Sequence, residues 1–276
     1  AAKEFATLIK DMSLRRSLIS LGGNMSEKAK NVSMNNGPEH QIIEAEQALY
    51  SLSSQGETDA GFKSFVNATR EAIEIASKAY KRDGGLSGLS TGLIDLDKKL
   101  GGLNPSDLII IAGRPSMGKT ALATNIAFNV AKTKIKNTKT EQTSPISAGV
   151  VGFFSLEMSS SQLASRILSE VSKVPSDQIR RGEMSEQEFK KFIESAQQLQ
   201  NCTLFIDDTA ALPISALTAR ARRLKRTYGL DLLIVDYLQL VRPVISKDNR
   251  VNEISEITQG LKAIAKELDI PVIALS

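Results

Sequence analysis

The sequence has few of the residues that build disulfide frameworks or zinc sites. It contains one cysteine, Cys202, and one histidine, His40, among 276 residues. A single cysteine cannot form an internal disulfide, and Cys202 lies in an apolar run, so we interpret it as a core thiol in a reducing cytosol. One cysteine and one histidine are also too few for a zinc site. These scarcities exclude a disulfide-stapled secreted domain and a zinc enzyme.

Net charge and long apolar runs are limited as well. The formal net charge is only +4, so the chain does not coat nucleic acid with its whole surface, and any DNA contact must come from local patches. No apolar stretch approaches the roughly 20 residues of a membrane span, and no secretory signal opens the chain. We therefore expect a cytoplasmic protein without membrane contact. Its 41% hydrophobic content suffices for one large domain and a smaller unit.

Residues 1–56 have the apolar periodicity of two helices, separated by a turn at 35–38. We predict a helical hairpin here, in which Gly22 and Gly23 kink the first helix or end it early. The apolar positions of the hairpin are Phe5, Leu8, Ile9, Met12 and Leu18, followed by Ile42, Ala45, Leu49 and Leu52.

Residues 57–90 are predicted to form a linker helix followed by a flexible joint at 86–92. Apolar residues step along the helix by four and three positions and form one seam, which needs a groove to lie in. That groove belongs either to the same chain or to a neighbouring subunit, and the pattern does not decide between them. The seam consists of Phe62, Val66, Thr69, Ile73, Ala76 and Tyr80.

From residue 91 to 276 the chain alternates strand and helix, which predicts an α/β fold with a mainly parallel sheet covered on both faces. The predicted strands are 107–112, 149–154, 203–206, 231–235 and 271–275. The predicted helices are near 119–132, 159–172, 186–200, 213–227 and 251–268.

A phosphate-binding loop follows the first of these strands and opens the first helix. Its pattern is G-x-x-x-x-G-K-[ST], in the strand, loop and helix order that the motif requires. Backbone N–H groups and the helix N-terminus bind phosphates, Lys119 reaches the β- and γ-phosphates, and the Thr120 hydroxyl is a ligand for Mg²⁺. The sequence therefore predicts an ATP site with Mg²⁺. Its cofactor-binding residues are Gly113, Arg114, Pro115, Ser116, Met117, Gly118, Lys119 and Thr120.

Three acids directly follow predicted strands, at the edge of the sheet where ligands of such folds bind. Asp236 fits the magnesium role best because its strand is apolar up to the acid, and Asp207 fits almost as well. Glu157 suits the activation of a water molecule. The alternatives are a helix cap or strand-end acid at Asp207, and compensation of a helix dipole at Glu157.

Four blocks carry a family resemblance: GRPSMGKT at 113–120, FSLEM at 154–158, IVDYLQL at 234–240 and IPVIALS at 270–276. Their order and spacing resemble the bacterial replicative DNA helicases of the DnaB type, and nearly the whole chain is similar to that family. The resemblance implies a RecA-like ATPase that forms a homo-hexameric ring, moves 5′-to-3′ on single-stranded DNA, and works with primase and a helicase loader. It also implies that Glu157 and Lys119 are catalytic, that Thr120 and Asp236 hold the metal, and that Asp207 is structural. The hairpin then resembles the end of the family's N-terminal domain.

The chain begins at Ala1 without methionine and stops at Ser276 within a predicted strand, so we expect a fragment lacking both ends. In the family, the missing tail carries a glutamine sensor, an arginine finger and most DNA-contacting loops. We therefore expect this chain by itself to bind ATP without unwinding DNA, with its final strand near a sheet edge.

One loop remains a candidate for DNA contact, through Arg242, Lys247 and Arg250, which suit phosphates without reading sequence. The alternative is a solvated loop. The denser basic run at 220–226 spreads over more than one helix face, which favours a subunit contact or solvation.

Two other classes stay open. A RecA-type recombinase or clock-type ATPase shares the fold and the phosphate loop, but should lack the FSLEM and DYLQL blocks. A non-hydrolysing loading or assembly partner uses ATP only to hold a ring together. The presence of Lys119, Thr120, Glu157 and Asp236 argues against that class, and a turnover assay separates the two.

Overall fold

A computed structural model of the chain describes residues 2–30, 64–80, 86–132, 149–242 and 250–276, with single residues or pairs between 37 and 52. The chain divides into two compact units, Ala1–Ile75 and Ala76–Ser276. Within the described residues, no helix is both long and apolar enough to cross a membrane.

The first unit contains α1 (Ala2–Lys30) and further helical residues between 38 and 52. α1 continues through Gly22 and Gly23, so these glycines do not end it early. Near its end, Lys28 Nζ lies 2.6 Å from Glu44 Oε2, and Gln41 Nε2 donates to the Lys28 carbonyl oxygen at 3.3 Å. These contacts tie the end of α1 to the helical residues that follow it.

α2 (Phe65–Tyr80) carries the predicted apolar seam. Of the predicted seam residues, Val66 is 68% exposed and Ile73 is 60% exposed, and Phe65, which the predicted seam does not include, is 85% exposed. Phe62, the first residue of the predicted seam, lies outside the described residues. Several apolar side chains of α2 therefore face solvent in the single chain.

The second unit is built on a sheet of five parallel strands, and this confirms the predicted α/β fold. The strands are β1 (Leu108–Ile111), β2 (Val151–Ser155), β3 (Leu204–Asp207), β4 (Leu232–Asp236) and β5 (Val272–Leu275). Their order across the sheet is β1-β5-β4-β2-β3. The register pairs Ser155 with Asp236 and Phe154 with Asp207, so the carboxyl ends of β2, β3 and β4 lie side by side.

Helices cover both faces of this sheet. They are α3 (Ile94–Leu100), α4 (Lys119–Ala131), α5 (Ser160–Ser172), α6 (Ser176–Arg181), α7 (Glu186–Gln198), α8 (Ile214–Tyr228) and α9 (Arg250–Leu268). Along β4, Leu233 and Val235 enter the core shared with α8 and α9, while Leu232 and Ile234 enter the core shared with α4 and α5. This alternation of side chains explains why β4 is apolar throughout.

The last strand lies near a sheet edge, as predicted, because it is next to the edge strand β1, but it does not form the edge itself. β5 pairs with β1 on one side and with β4 on the other. The four residues of β5 are all buried, as an interior strand requires. The strand order follows from long-range pairing, which the local pattern of β5 does not encode.

The predicted flexible joint also differs from the structure. Leu89 and Leu103 exchange two backbone hydrogen bonds of 2.8 Å each, and Thr91 is fully buried. The Thr91 amide and hydroxyl both donate to Asp97 Oδ1, at 2.8 and 2.7 Å. Residues 87–91 are therefore fixed to the second unit. The pattern missed α3, which supplies Asp97, because a helix of seven residues is too short to show periodicity.

Candidate active site

The loop after β1 is fixed at both ends by its backbone. The Gly113 amide donates to the Ser276 carbonyl at 3.1 Å, and the Ser276 amide donates to the Ile111 carbonyl at 3.0 Å. At the other end, Gly118 has φ +86° and directly precedes α4. A Cβ at this glycine would meet nothing within 4 Å, so the left-handed backbone, rather than lack of space, favours glycine here.

The N-terminus of α4 adds backbone donors to this loop. The first N–H groups of a helix have no partner inside it, and Gly118 provides no side-chain cap. Such donors, together with the helix dipole, favour an anion. Lys119 Nζ donates to the Gly113 carbonyl oxygen, which keeps its ammonium group inside the loop. The arrangement suits a phosphate group.

Asp236 ends β4 and is almost completely buried, with 2% of its surface exposed. Burial raises the pKa of its carboxyl group, while a hydrogen bond with the Thr120 side chain opposes that increase. Its Oδ2 atom is buried and has no hydrogen-bond partner among the described residues. A buried carboxylate oxygen without a partner, next to a threonine hydroxyl, is the type of hard-oxygen donor pair that Mg²⁺ prefers. These residues therefore fit a magnesium ion.

Glu157 lies between β2 and α5, outside the helix. α5 begins at Ser160 and is capped by Ser159, whose side chain and that of Gln162 form a capping box. The acid that serves the helix N-terminus is Asp208, whose Oδ2 accepts from the Ser160 amide at 2.8 Å. The structure thus gives the helix-dipole role to Asp208 and leaves the exposed Glu157 carboxylate free of it.

Both carboxylate oxygens of Asp207, at the end of β3, have nearby partners. Its Oδ2 lies 2.7 Å from Arg220 Nη1, and its Oδ1 accepts from the Thr209 amide at 3.0 Å. Partial burial would raise the pKa of Asp207, but the bonds from Arg220 and Thr209 outweigh it and hold the pKa below its usual value. Asp207 therefore behaves as a structural acid.

The phosphate loop, Glu157 and Asp236 line one open cleft of about 1120 Å³, and Asp207 does not reach it. The residues from 113 to 120 all line this cleft. Further residues, for which the sequence patterns predict no role, line the cleft from other elements. The polar ones are Thr124, Asn125, Arg166, Ser169, Glu170, Ser176, Tyr237, Gln239 and Ser276.

Comparison with known proteins identifies the family. Residues 88–276 match the model of the DnaB-like helicase C-terminal domain. The chain belongs to the DnaB-like helicase family. This agrees with the resemblance that the four sequence blocks carry.

Relatives in this helicase family match almost the whole chain. The replicative DNA helicase DnaB of Rickettsia typhi is 47% identical over 274 residues, which are 99% of this chain and 54% of that protein. The replicative DNA helicase DnaC of Bacillus subtilis is 35% identical over 273 residues, which are 99% of this chain and 57% of that protein. The chain thus spans about half the length of these relatives.

Two solved structures share the fold. A DnaB-like replicative helicase, solved in a study of its interactions with primase, gives a TM-score of 0.71 at 27% identity, covering 99% of this chain and 59% of that one. A second solved structure, of an ATPase domain, gives a TM-score of 0.67 at 28% identity, covering 78% of this chain and 72% of that one. The sheet and its helices therefore form the RecA-like ATPase fold of DnaB-like helicases.

Of the described residues predicted to contact DNA in this helicase-family chain, Arg250 has side-chain partners and Arg242 is paired through its backbone. Arg250 Nη1 lies 2.9 Å from Glu253 Oε2, and Arg250 Nη2 donates to the Gln239 carbonyl at 2.7 Å. The Arg242 backbone pairs with residues 212 and 214, and its side chain is exposed. Lys247 lies outside the described residues. The DNA contact stays a prediction.

The basic run of α8 is also partly engaged. Arg222 makes two hydrogen bonds to the Glu267 carboxylate, at 2.6 and 2.8 Å, and Lys225 Nζ donates to the Leu230 carbonyl at 2.7 Å. With Arg220 bonded to Asp207, three cations of this run stabilise the fold of the second unit.

Proposed function

We propose that this chain is the ATP-hydrolysing part of a replicative DNA helicase. The observation that carries the proposal is the buried Asp236 carboxylate, whose Oδ2 lacks a partner among the described residues beside Thr120 and the phosphate loop. A structural acid has its bonds satisfied, as Asp207 does. An acid that binds a metal–nucleotide complex lacks such partners in the absence of that ligand.

Each group in the cleft has a task in phosphoryl transfer to water. The loop N–H groups and Lys119 hold the phosphates, and Thr120 and Asp236 hold Mg²⁺. When bound, Mg²⁺ offsets the negative charge that develops on the transferred phosphoryl group. Glu157 orients the attacking water and accepts its proton, which requires an ionised and accessible carboxylate. Its position outside α5 supports this role.

The whole assembly follows from the same proposal. We infer a cytoplasmic homo-hexameric ring around single-stranded DNA that moves 5′-to-3′ and contacts a primase and a loader. The relatives named as replicative DNA helicases and the solved helicase studied with primase support this inference. The exposed apolar residues of α2 support docking of that helix on a neighbouring subunit.

DNA-stimulated ATP hydrolysis and strand displacement on a forked duplex test the proposal, with full-length protein and its Lys119→Ala variant. We expect both activities in the wild type, and loss of both in the variant, because the lysine ammonium holds the phosphates. A wild-type protein that binds ATP without turnover would instead be a non-hydrolysing assembly partner.

Sedimentation of full-length protein tests the ring. Replacing Val66 and Ile73 on α2 with serine should shift the ring towards monomer, since both are exposed apolar residues of one helix face. Glu74→Ser, a polar position on the same helix, is the matched control. An unchanged oligomer in the double variant would place α2 on its own chain.

A further inference from the structure

An open groove of about 290 Å³ lies between β3 and α8, and it shares no lining residue with the nucleotide cleft. One wall is a single side of α8, where positions 220, 223, 224, 227 and 228 recur at spacings of three and four. The other wall is β3, through Phe205 and Asp207. Leu217 and Ala221 are buried in the core beside this side of α8 and hold the helix on the sheet. The groove is therefore a fixed feature of the second unit.

The apolar part of the groove is an aromatic pair at the protein surface. Phe205 stacks on Tyr228, with ring centroids 4.6 Å apart. Phe205 belongs to neither hydrophobic core and is only partly buried, and Tyr228 is 60% exposed. The pair thus offers an apolar surface on which an incoming aromatic side chain can stack.

The outer edge of β3 carries main-chain groups that await a partner. Among the described strands, β3 pairs with β2 alone. The Val151 amide donates to the Thr203 carbonyl at 2.9 Å, so in this parallel ladder the odd-numbered residues of β3 bond β2. The main chain of Ile206 points the other way, and its amide and carbonyl have no partner in the part of the chain that the structure describes. Such an edge is a template for an added strand.

The charge of the groove favours an acidic strand. Arg220 already pairs with Asp207 at 2.7 Å, and Asp208 is turned towards α5, where it bonds the first amide of that helix. Arg223 is exposed and, within the described ranges, forms no ion pair and no hydrogen bond. One cation of the groove wall is therefore left without a counter-charge.

We propose that this groove is a docking site for an extended acidic segment of a partner protein. The segment adds as a strand along β3 and bonds the main chain of Ile206. On the face towards α8 it places an aromatic side chain against Phe205 and Tyr228, and a carboxylate at Arg223. Single-stranded nucleic acid also binds cations and aromatic rings, but it has no peptide main chain to pair with a strand edge. The open edge of β3 is the observation that favours a peptide.

Fluorescence anisotropy with full-length protein tests the proposal. The probe is a fluorescein-labelled peptide, Ser-Asp-Thr-Phe-Thr-Asp-Ser, whose phenylalanine and two aspartates share one face when it is extended. We expect saturable binding with a Kd below about 1 mM, weakened at least about tenfold when the phenylalanine is replaced by serine. N-methylation of alternate residues tests strand pairing. One alternate set of amides faces β3 and should lose at least about fivefold in affinity, whereas the other set faces solvent and should lose less than about twofold.

Two variants test the protein side of the groove. Arg223→Glu should weaken peptide binding about tenfold, because it replaces attraction by repulsion at an exposed site. Tyr228→Ala should weaken it at least about fivefold, because it removes half of the aromatic pair. Lys190→Glu is the matched control, since Lys190 is exposed on α7 outside the groove. Circular dichroism of each variant confirms that the fold is retained.

Four results would each overturn the proposal. The first is no saturable binding of the wild-type protein up to about 1 mM peptide. The second is equal affinity for the two N-methylated sets, which would exclude strand pairing. The third is a change of oligomeric state in sedimentation of Tyr228→Ala, which would assign the groove to a second copy of the chain. The fourth is loss of affinity for a labelled oligothymidylate in Arg223→Glu with peptide affinity unchanged, which would assign the groove to nucleic acid.

Discussion

Asp236 and Asp207 end two strands of the same sheet, but their carboxylates are in opposite states. Asp236 is buried, its pKa is raised by that burial, and its Oδ2 has no partner within the described residues. Asp207 is bonded to Arg220 and Thr209, and its pKa is lowered. The difference shows that position after a strand does not by itself decide the state of an acid, and the unpartnered Oδ2 of Asp236 supports the functional role that we propose for it.

The strand order explains the difference. The phosphate loop follows β1, and only β5 lies between β1 and β4 in the sheet. The end of β4 therefore lies beside the same cleft as the loop. β3 lies at the far side, where Arg220 from α8 reaches its last residue. Distance from the loop therefore separates two acids whose local sequences are alike.

The largest effect on ATP turnover is expected at Glu157, a third acid that follows a strand of the same sheet. Glu157→Gln should lower ATP turnover by at least about 10²-fold, the usual loss when a general base is removed, while ATP affinity stays nearly unchanged. Asp207→Asn is the matched control, since it neutralises an acid at the same edge of the sheet, and should leave turnover unchanged. Steady-state hydrolysis and nucleotide titration measure both quantities. The assignment of acids is wrong if Glu157→Gln binds ATP poorly and Asp207→Asn stops turnover.

The next effect concerns the other wall of the cleft. Lys119→Ala should weaken ATP binding at least about tenfold, because it removes a charge-assisted hydrogen bond to phosphate. Lys132→Ala, just beyond the opposite end of α4, is the control, since Lys132 bonds Asn129 far from the N-terminus of that helix. Fluorescence titration of an ATP analogue gives both affinities. An equal loss of ATP affinity in the two variants would contradict the phosphate-binding role of Lys119.

A stability measurement tests the unmet bonding need of Asp236 directly. Without nucleotide and with a chelator, Asp236→Asn should stabilise the protein at neutral pH by about 0.5–2 kcal/mol, as relief of functional-site strain commonly does. Burial raises the folded-state pKa of Asp236 above its unfolded value. The stability that the protonated carboxyl group contributes is therefore fully present below the unfolded pKa and is lost as pH rises through the folded-state pKa, where the buried group must ionise. The gain should therefore shrink in acid. Thermal denaturation across pH measures it, and a loss of stability at neutral pH would contradict the comparison.

The smallest effect has the opposite sign. Asp207→Asn should destabilise the protein by about 0.2–1 kcal/mol at neutral pH, the range for a partly exposed ion pair. Its folded-state pKa is lowered, so its contribution is present above the unfolded pKa and is lost as pH falls through the folded one. The two variants should therefore move the melting temperature in opposite directions at neutral pH. Shifts of the same sign would mean that the two carboxylates are not in different states.

Local patterns predicted the strands and most of the helices, because apolar runs and alternation are properties of short stretches. The phosphate loop at 113–120 was predictable for the same reason, since one continuous segment makes it. The position of Arg166 in the lining of the cleft could not be predicted in this way, because it depends on which helix borders the cleft. The roles of Glu157 and Asp208 at α5 also depend on tertiary structure: Asp208, from beyond β3, bonds the first residue of that helix. The interior position of β5 and the fixed segment at 87–91 likewise come from pairing between distant residues.

The pairing of β5 with β1 also bears on the order in which this protein acquires its activity during synthesis. Among the described strands, β1 pairs with β5 alone, and the amide of Gly113 bonds the carbonyl of Ser276, far later in the chain. A nascent chain carries the complete phosphate-loop sequence long before the ribosome has made the strand that positions it. Domains fold as units once their distant contacts can form. The loop at 113–120 therefore reaches its final position late, once the residues up to Ser276 have been made, although its signature sequence is made early.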